Sequence, residues 1–423
     1  MQQQHHSWKQ AGASPRPQRR SILRTLLALT GVLAALQAVI VLILQVVSEQ
    51  RKRHRHEGSY PHPSLNEVDI GENRLRVYDY GRDLYDAMLT SIDAAQESVY
   101  LETFIWKDDE VGQAFKEALV RKAAQGVEVY VVFDSFGNLV VPRAFKVFPE
   151  TVHVLSYKIA SRPWHLLDLR RYALDHRKLL VVDGVTSFVG GYNLGPYATT
   201  WRDTHLRIVG PATADLAHSF VSFWNRHGTA LAPISRHYPR RLDARISFQG
   251  TDAMRLTFPI RDRYIAAMDR AERSIRLSNA YFVPDGMLFA ALTAAAQRGV
   301  EVQVLVPWIS NHVVVDWLTR GYFTDCLRAG MRVFGYQHML HAKTCSIDGV
   351  WSTIGTANLD RLSSVGNYEI TAEVESEALA QQMEELFSCD TTNAVELTRE
   401  QWMGRPWYSK VGEAILSPLR ALL

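Results

Sequence analysis

The sequence predicts an α/β protein of two homologous lobes fused in tandem with pseudo-twofold symmetry, preceded by one N-terminal transmembrane helix. Three observations predict this fold class: a long apolar stretch near the N-terminus, an internal repeat through the rest of the chain, and strand patterns that alternate with helix patterns. The chain has 423 residues, of which 47% are hydrophobic and 22% are charged, as in ordinary globular proteins. The composition excludes a disordered chain, and a mean hydropathy of -0.13 excludes a polytopic transporter.

The apolar stretch predicts a membrane span at residues 25–48. No charged residue occurs there, and a helix needs about 20 apolar residues to cross a bilayer. A polar, basic tail (1–24) precedes the span and a basic linker (49–66) follows it. A cleaved signal peptide is disfavoured, because the stretch is too long and no cleavage site of small residues follows.

Basic residues flank the span on both sides in nearly equal number. They are Lys9, Arg16, Arg19, Arg20 and Arg24 before it, and Arg51, Lys52, Arg53 and Arg55 after it. Because the positive-inside rule depends on an imbalance of such residues, the sequence leaves open which side carries the large domain. The run at 51–56 either lies on anionic headgroups or is a solvated flank.

An internal repeat divides the remaining chain into a first lobe, 67–240, and a second lobe, 241–423. Segment 93–101 resembles 269–277, segment 125–132 resembles 297–305, and segment 176–183 resembles 341–348. Matches in the same order and at similar offsets indicate two copies of one structural unit.

Each copy alternates short β-branched runs with helical patterns. The first lobe has predicted strands at 98–105, 127–133, 179–182 and 187–189, with helices at 111–124 and 212–226. The second lobe has predicted strands at 274–277, 300–306 and 344–347, with a helix at 286–298. This alternation is typical of α/β lobes with buried sheets. The amphipathic segment 407–423 either packs on the protein or rests on a bilayer surface.

The pattern His-x-Lys-x4-Asp occurs once in each lobe. The first copy is His176, Lys178 and Asp183, and the second is His341, Lys343 and Asp348. On a strand, residues i and i+2 face the same side, so each histidine and lysine can point into one cleft. A glycine-containing turn follows, and an asparagine stands ten residues after each aspartate, as Asn193 and Asn358. Such turns allow backbone amides and a side-chain amide to approach a ligand closely.

Two histidines and two lysines at a lobe interface suit a phosphate diester. One imidazole can attack phosphorus and form phosphohistidine, while the other transfers protons to and from the oxygens. Lysine and asparagine side chains would hold the non-bridging oxygens. No cofactor and no metal ion is predicted, because no cluster has metal-ligand spacing. Each motif aspartate either takes part in catalysis or braces the turn at its strand end.

The doubled motif resembles the phospholipase D superfamily, and within it the bacterial cardiolipin synthases. The residues that carry the resemblance are Leu101–Trp106, His176–Lys178, Gly190–Asn193, Trp201–His205, Ala280–Asp285, Leu340–Lys343 and Asn358–Arg361. The resemblance implies that His176 is the nucleophile and His341 the general acid and base. It also implies one carboxylate per lobe that hydrogen-bonds a histidine, with Asp203 and Glu369 as the candidates; the alternative is that both form surface salt bridges.

The resemblance implies a phosphatidyltransferase of the cell (inner) membrane that joins two phosphatidylglycerols into cardiolipin and releases glycerol. The one apolar stretch at residues 25–48 predicts that the protein crosses this membrane once, whereas many of these synthases have two N-terminal spans. Phosphatidylethanolamine is a possible replacement for one substrate. The alternative is a phospholipase D that uses water as acceptor, because the same residues serve both reactions. A nuclease is disfavoured by the net charge of +3 and the membrane span, so no nucleic-acid partner is predicted. Two complete motifs argue against a non-catalytic lipid-binding protein, and the sequence leaves the oligomeric state open.

Overall fold

The repeat folds into two eight-stranded mixed sheets, which confirms the predicted class of two α/β lobes. The computed structural model describes residues 16–53, 60–159, 168–239 and 243–421. Residues 1–15 of the predicted tail and residues 54–59 of the predicted basic linker lie outside these ranges.

The first sheet has the strand order β1-β2-β8-β7-β6-β3-β4-β5. Its strands are β1 (Val68–Ile70), β2 (Asn73–Tyr78), β3 (Ser98–Thr103), β4 (Glu128–Asp134), β5 (Val152–Tyr157), β6 (Leu179–Val182), β7 (Thr186–Gly190) and β8 (His205–Val209). Strands β3, β4 and β5 run parallel, and the other neighbours pair antiparallel.

The second sheet has the strand order β16-β12-β11-β10-β13-β14-β15-β9. Its strands are β9 (Ile246–Thr251), β10 (Ser274–Asn279), β11 (Glu301–Pro307), β12 (Arg332–Tyr336), β13 (Lys343–Ile347), β14 (Trp351–Gly355), β15 (Glu369–Glu375) and β16 (Ala394–Glu396). Apart from the edge strands β1 and β16, the two sheets have the same order, in which β3 corresponds to β10 and β6 to β13.

Helices cover the outer faces of the sheets and fill the space between them. They are α1 (Arg16–Arg53), α2 (Gly81–Ala94), α3 (Glu110–Ala124), α4 (Thr213–His227), α5 (Pro259–Arg270), α6 (Gly286–Gln297), α7 (Val313–Arg328), α8 (Glu377–Thr392), α9 (Arg399–Met403) and α10 (Trp407–Leu416). Side-chain caps set the starts of several helices; the Asp109 carboxylate accepts from Gly112 N, and the Asp285 carboxylate accepts from Met287 N and Leu288 N.

One apolar core joins the two lobes. Val189 and Leu206 of the first sheet share a buried cluster with Ile354 and Ile370 of the second, and Trp224 of α4 completes it. Removing this shared apolar surface from water stabilises the pair of lobes as one body.

The apolar N-terminal stretch lies within α1. Residues Thr30–Val47 have a mean hydropathy of 2.4, and none of them is buried. Ile40, Val41 and Leu44 nevertheless pack against α7 and the C-terminal segment, and Gln37 Nε2 donates to the carbonyl of Ile415 at 2.9 Å. The C-terminal segment therefore packs on the protein, the first of its two predicted alternatives, while Trp407 and Tyr408 stay exposed.

Tyr60 lies in the region predicted as linker, yet its ring is buried against the second lobe. It packs in a cluster with Leu340 and Phe387, and its hydroxyl donates to the carbonyl of Asp79 in the first lobe at 2.8 Å. The chain is therefore fixed at the lobe interface seven residues after α1 ends at Arg53.

Candidate active site

Two short backbone bridges between the lobes position the motif histidines. Asp175 pairs with Tyr368, and Leu340 pairs with Arg202, both in parallel orientation. The backbone amide of His176 donates to the carbonyl of Tyr368 at 3.0 Å, and the amide of His341 donates to the carbonyl of Arg202 at 2.7 Å. In each bridge the residue before a histidine meets the residue before a carboxylate of the other lobe.

Each motif histidine therefore contacts a carboxylate from the opposite lobe. Nδ1 of His176 lies 3.0 Å from both carboxylate oxygens of Glu369, and Nδ1 of His341 donates to Asp203 Oδ2 at 2.6 Å. The histidine side chains are 13% and 8% exposed, while those of the carboxylates are 0% and 2% exposed. These contacts occupy Nδ1 and leave Nε2 as the nitrogen available for chemistry.

The motif lysines are buried beside the histidines. Lys178 Nζ donates to the carbonyl of His176 at 2.7 Å, and Lys343 Nζ donates to the carbonyl of His341. Burial lowers the pKa of Lys178 to about 7, an effect that the charge of Lys343 increases. Burial also lowers the pKa of Lys343 to about 8. The effect of Lys343 on Lys178 indicates that the two ammonium groups lie near each other, where both can attract an anion.

The two histidine–carboxylate pairs differ in their electrostatics. Burial and the two lysines lower the pKa of His176 well below its ordinary value, and burial lowers that of His341 to about 4. Burial raises the pKa of Glu369 to about 8. Burial also opposes ionisation of Asp203, but Lys343 and His341 outweigh it and lower the pKa of Asp203. An anionic substrate would favour protonation of the imidazoles.

The turns after β7 and β14 support the carboxylates in two different ways. In the second lobe, the Thr356 hydroxyl donates to Glu369 Oε2. In the first lobe, Gly191 stands in the corresponding turn, and a Cβ there would lie 2.1 Å from Asp203 Oδ1. Absence of a side chain at residue 191 therefore makes room for the Asp203 carboxylate.

Both predicted phosphate-binding asparagines are buried. Asn193 Oδ1 accepts from the amide of Ile105 at 3.2 Å. Asn358 Oδ1 has no hydrogen-bond partner among the described residues. Because the two ends of a side-chain amide exchange by a flip, Asn358 can present its NH2 to a phosphoryl oxygen.

The motif aspartates lie at the opposite ends of β6 and β13 from the histidines. The Asp183 carboxylate accepts from the backbone amides of residues 96, 97 and 98, each at 2.8 Å. The Asp348 carboxylate accepts from the amides of residues 272, 273 and 274 at 2.7–2.9 Å. Each aspartate stands seven positions after its histidine, which at about 3.3 Å per residue corresponds to about 20 Å. The structure thus does not bring Asp183 and Asp348, predicted among the catalytic residues, to the histidines, and their contacts brace the starts of β3 and β10.

Sequence reasoning missed a buried ion pair next to Asp203. Arg202 forms two hydrogen bonds of 2.8 Å with the Asp390 carboxylate of the second lobe, and both side chains are about 1% exposed. Arg202 lies in a quoted motif, but nothing in the spacing identifies a partner 188 residues away.

Three aromatic rings surround the histidines. Phe104 meets His176 with ring centroids 4.8 Å apart, while Trp201 and Tyr281 meet His341 at 5.6 Å and 6.2 Å.

Among the residues that the structure describes, no group of three or more His, Cys, Asp or Glu side chains could hold a metal ion.

Two histidine–lysine pairs between two similar lobes, each histidine with a carboxylate partner, define a phosphodiester-transfer site of the phospholipase D type. The family described as "Cardiolipin synthase, PLD-like domain" matches the chain twice, at residues 88–224 and 264–391. The chain belongs to this family of cardiolipin synthase, phospholipase D-like proteins.

Relatives extend the similarity over most of the chain. The chain is 32% identical over 368 residues to the major cardiolipin synthase ClsA of Bacillus subtilis (strain 168), covering 82% of this chain and 76% of the relative. It is 34% identical over 343 residues to cardiolipin synthase A of Pseudomonas putida (strain W619), covering 78% and 71%. The solved phosphatidylserine synthase of Haemophilus influenzae Rd KW20 aligns with a TM-score of 0.65 at 14% identity, over 90% of this chain and 98% of that one, which shows a shared fold.

Proposed function

We propose that this enzyme joins two phosphatidylglycerol molecules into cardiolipin and glycerol through a phosphohistidine at His176. The observation that carries the proposal is the meeting of two histidines, each in contact with a carboxylate, with two buried lysines at one lobe interface. The cardiolipin synthases that match the chain support the choice of reaction.

In the first half-reaction, Nε2 of His176 attacks the phosphorus of phosphatidylglycerol. The bond from phosphorus to the glycerol oxygen breaks, and protonated His341 gives its proton to that oxygen, so that glycerol leaves. Lys178, Lys343 and the Asn358 amide stabilise the charge on the non-bridging oxygens. The binding of an anionic phosphate raises the pKa of His341, which favours the protonated form that this step requires.

In the second half-reaction, neutral His341 takes the proton from a glycerol hydroxyl of a second phosphatidylglycerol. That oxygen attacks phosphorus, the bond from phosphorus to Nε2 of His176 breaks, and cardiolipin forms. His176 is then free and His341 is protonated again, so both groups return to their starting states. Phosphatidylethanolamine is a second candidate donor, because its headgroup departs by the same bond cleavage.

Product analysis tests the reaction itself. The detergent-purified chain would be incubated with phosphatidylglycerol and the lipids resolved by mass spectrometry. Cardiolipin with an equal amount of free glycerol is the expected result. Phosphatidic acid and glycerol without cardiolipin would make water the acceptor and the enzyme a phospholipase D.

A phosphatidyl ester of p-nitrophenol tests the roles of the two histidines, because this leaving group departs without being protonated. His341→Ala should still release p-nitrophenol and form an acid-labile lipid adduct, whereas His176→Ala should do neither. Adduct formation by His176→Ala would overturn the assignment of the nucleophile.

We propose that the enzyme is located in the cell's inner membrane, which α1 would cross once. The length and apolar composition of Thr30–Val47 support this proposal, as does the phospholipid substrate. Retention of the full chain in membranes after an alkaline wash is expected, and release would contradict a spanning helix.

A further inference from the structure

Exposed apolar side chains follow strands β4 and β11 at the sheet edge where the histidines lie. In the first sheet, β6 is antiparallel to β3 and β4 is parallel to it, so the end of β4 lies at the same edge as His176. The corresponding relations place the end of β11 beside His341. We use the name site rim for the exposed apolar residues after these two strands, which are Phe136, Leu139, Val140, Val147, Trp308 and Ile309.

The first-lobe part of the rim is an ordered structure joined to the catalytic residues. The Asp134 carboxylate accepts from the amides of Phe136 and Gly137 through one oxygen and from the amide of Asp175 through the other. Asp175 directly precedes His176. The Asn138 side chain also donates to the carbonyl of Phe104 at 2.8 Å, and the Phe104 ring contacts His176.

Segment 136–147 places apolar side chains both in the protein interior and on the surface. Val141 and Phe145 are buried as anchors, whereas Leu139 and Val140 are 68% and 82% exposed. The exposed positions include Arg143, and the segment contains no acidic residue. Exposed apolar groups beside a basic side chain match the surface of a bilayer that contains anionic lipid.

The second-lobe part of the rim is continuous with the apolar N-terminal helix. Ile309 is followed after three residues by α7, whose Val314, Val315 and Trp317 pack in one cluster with Ile40 and Leu44 of α1. The contact falls within Thr30–Val47, the stretch long and apolar enough for a membrane, which places α7 at bilayer depth if α1 spans.

We propose that the site rim inserts into the lipid bilayer around the mouth of the site, so that phospholipids reach the histidines directly from the membrane. This inference rests on the proposed phospholipid substrate. The occupant of the rim is lipid, and a protein partner or a second copy of the chain is the alternative that the test distinguishes.

Lipid-borne quenchers test insertion without requiring turnover. Val140→Cys would be made in the full chain together with Cys389→Ser, which leaves only the buried Cys326 and Cys345. The new thiol would carry an environment-sensitive fluorophore, and the chain would be reconstituted in phosphatidylcholine–phosphatidylglycerol vesicles containing acyl-chain spin labels. Strong quenching at residue 140 is expected. The matched control is Val185→Cys, 55% exposed in the turn at the opposite edge of the sheet, which should show little quenching.

Equal quenching at residues 140 and 185 would overturn the proposal, as would an emission shift at 140 that depends on protein concentration and not on the lipid quencher. Because this readout needs no product, it remains valid if the enzyme makes no cardiolipin. Quenching at residue 140 in a protein that makes no cardiolipin would contradict the proposed function but would still support insertion of the site rim.

A charge in the rim tests its part in substrate supply. Leu139→Asp with Val140→Asp should lower turnover of phosphatidylglycerol in vesicles about tenfold, since a carboxylate replaces apolar surface that the bilayer would cover. Turnover of a short-chain, monomeric phosphatidylglycerol should stay unchanged, and Val185→Asp should affect neither. Unchanged turnover in vesicles, or an equal loss of turnover on both substrates, would contradict a role of the site rim in substrate supply.

Discussion

Asp203 of the first lobe accepts a 2.6 Å hydrogen bond from Nδ1 of His341 in the second lobe. Glu369 of the second lobe makes the reciprocal contact with His176 of the first. The histidine–carboxylate pairs are therefore exchanged between the lobes, and neither lobe contains a histidine together with its own carboxylate partner. The shared apolar core keeps this exchange in register, because it fixes one sheet against the other.

Asp203→Asn should lower kcat by about a hundredfold or more with the fold intact. The amide removes the charge that stabilises protonated His341, and it can hold the imidazole in the wrong tautomer. In other histidine–carboxylate pairs, the same substitution lowers kcat by about a hundredfold or more. Steady-state kinetics and a melting curve measure the two effects. Asp93→Asn, in a half-exposed ion pair with Arg121, is the control and should change neither; near-normal turnover of Asp203→Asn would contradict its role.

Gly191→Ala should reduce activity through Asp203. The new methyl group would lie 2.1 Å from Asp203 Oδ1, so the carboxylate must move away from His341. Gly286→Ala is the matched control, because a Cβ there meets nothing within 4 Å and the position begins α6. We expect at least a tenfold difference in kcat between the two variants, and equal rates would show that residue 191 tolerates a side chain.

Asp183→Ala should destabilise the fold without stopping catalysis. The change removes three backbone hydrogen bonds to a carboxylate and puts alanine at a φ of 53°, where a Cβ is strained. A loss of about 2–3 kcal/mol in the free energy of unfolding is expected after discounting for partial exposure, with kcat of the folded enzyme within about twofold. Asp183→Asn keeps one acceptor oxygen and suits this backbone region, so it should lose less stability. A large fall in kcat for both variants would make Asp183 catalytic.

The pH profile should show an alkaline limb set by the buried lysines. With pKa values of about 7 and about 8, Lys178 and Lys343 lose their charges as the pH rises through this range, so kcat/KM should fall. A bound phosphate diester favours the charged lysines, so the fall in kcat should occur at higher pH. Identical alkaline limbs in kcat and kcat/KM would contradict lysine–phosphate contact.

The same pKa values predict a change in stability. Lysines in the unfolded chain keep their ordinary pKa of 10.5, so between about pH 7 and 10.5 the unfolded chain binds more protons than the folded one. The contribution of these two residues to the free energy of unfolding therefore rises with pH across this window. Comparing melting temperatures of the wild type and Lys178→Met at pH 7 and pH 9 measures this contribution.

The repeat and the doubled motif made the two lobes and their histidines predictable from sequence. Buried parallel strands are rich in valine, isoleucine and leucine, and valine recurs in β4 of the first copy and in β11 of the second. The resemblance supplied Asp203 and Glu369 as partners, but not the histidine that each one contacts. That choice depends on the bridges from Asp175 to Tyr368 and from Leu340 to Arg202, which join residues far apart in the chain and leave no periodic pattern.

Two other features could not be predicted from local sequence patterns. The packing of α1 on α7 is a contact between two apolar surfaces, and apolar residues alone do not specify their partner. Tyr60 is a single aromatic residue in a polar, proline-containing stretch, and composition there indicates only a linker.

Burial of Tyr60 fixes a maximum distance. Only residues 54–59 separate it from the end of α1 at Arg53, and seven fully extended steps cover at most about 25 Å. Because Tyr60 shares a buried cluster with Leu340, the neighbour of His341, this short tether limits how far the site can lie from the end of α1. Residues inserted within 54–59 would lengthen the tether and so raise this maximum distance, even with Tyr60 still in place.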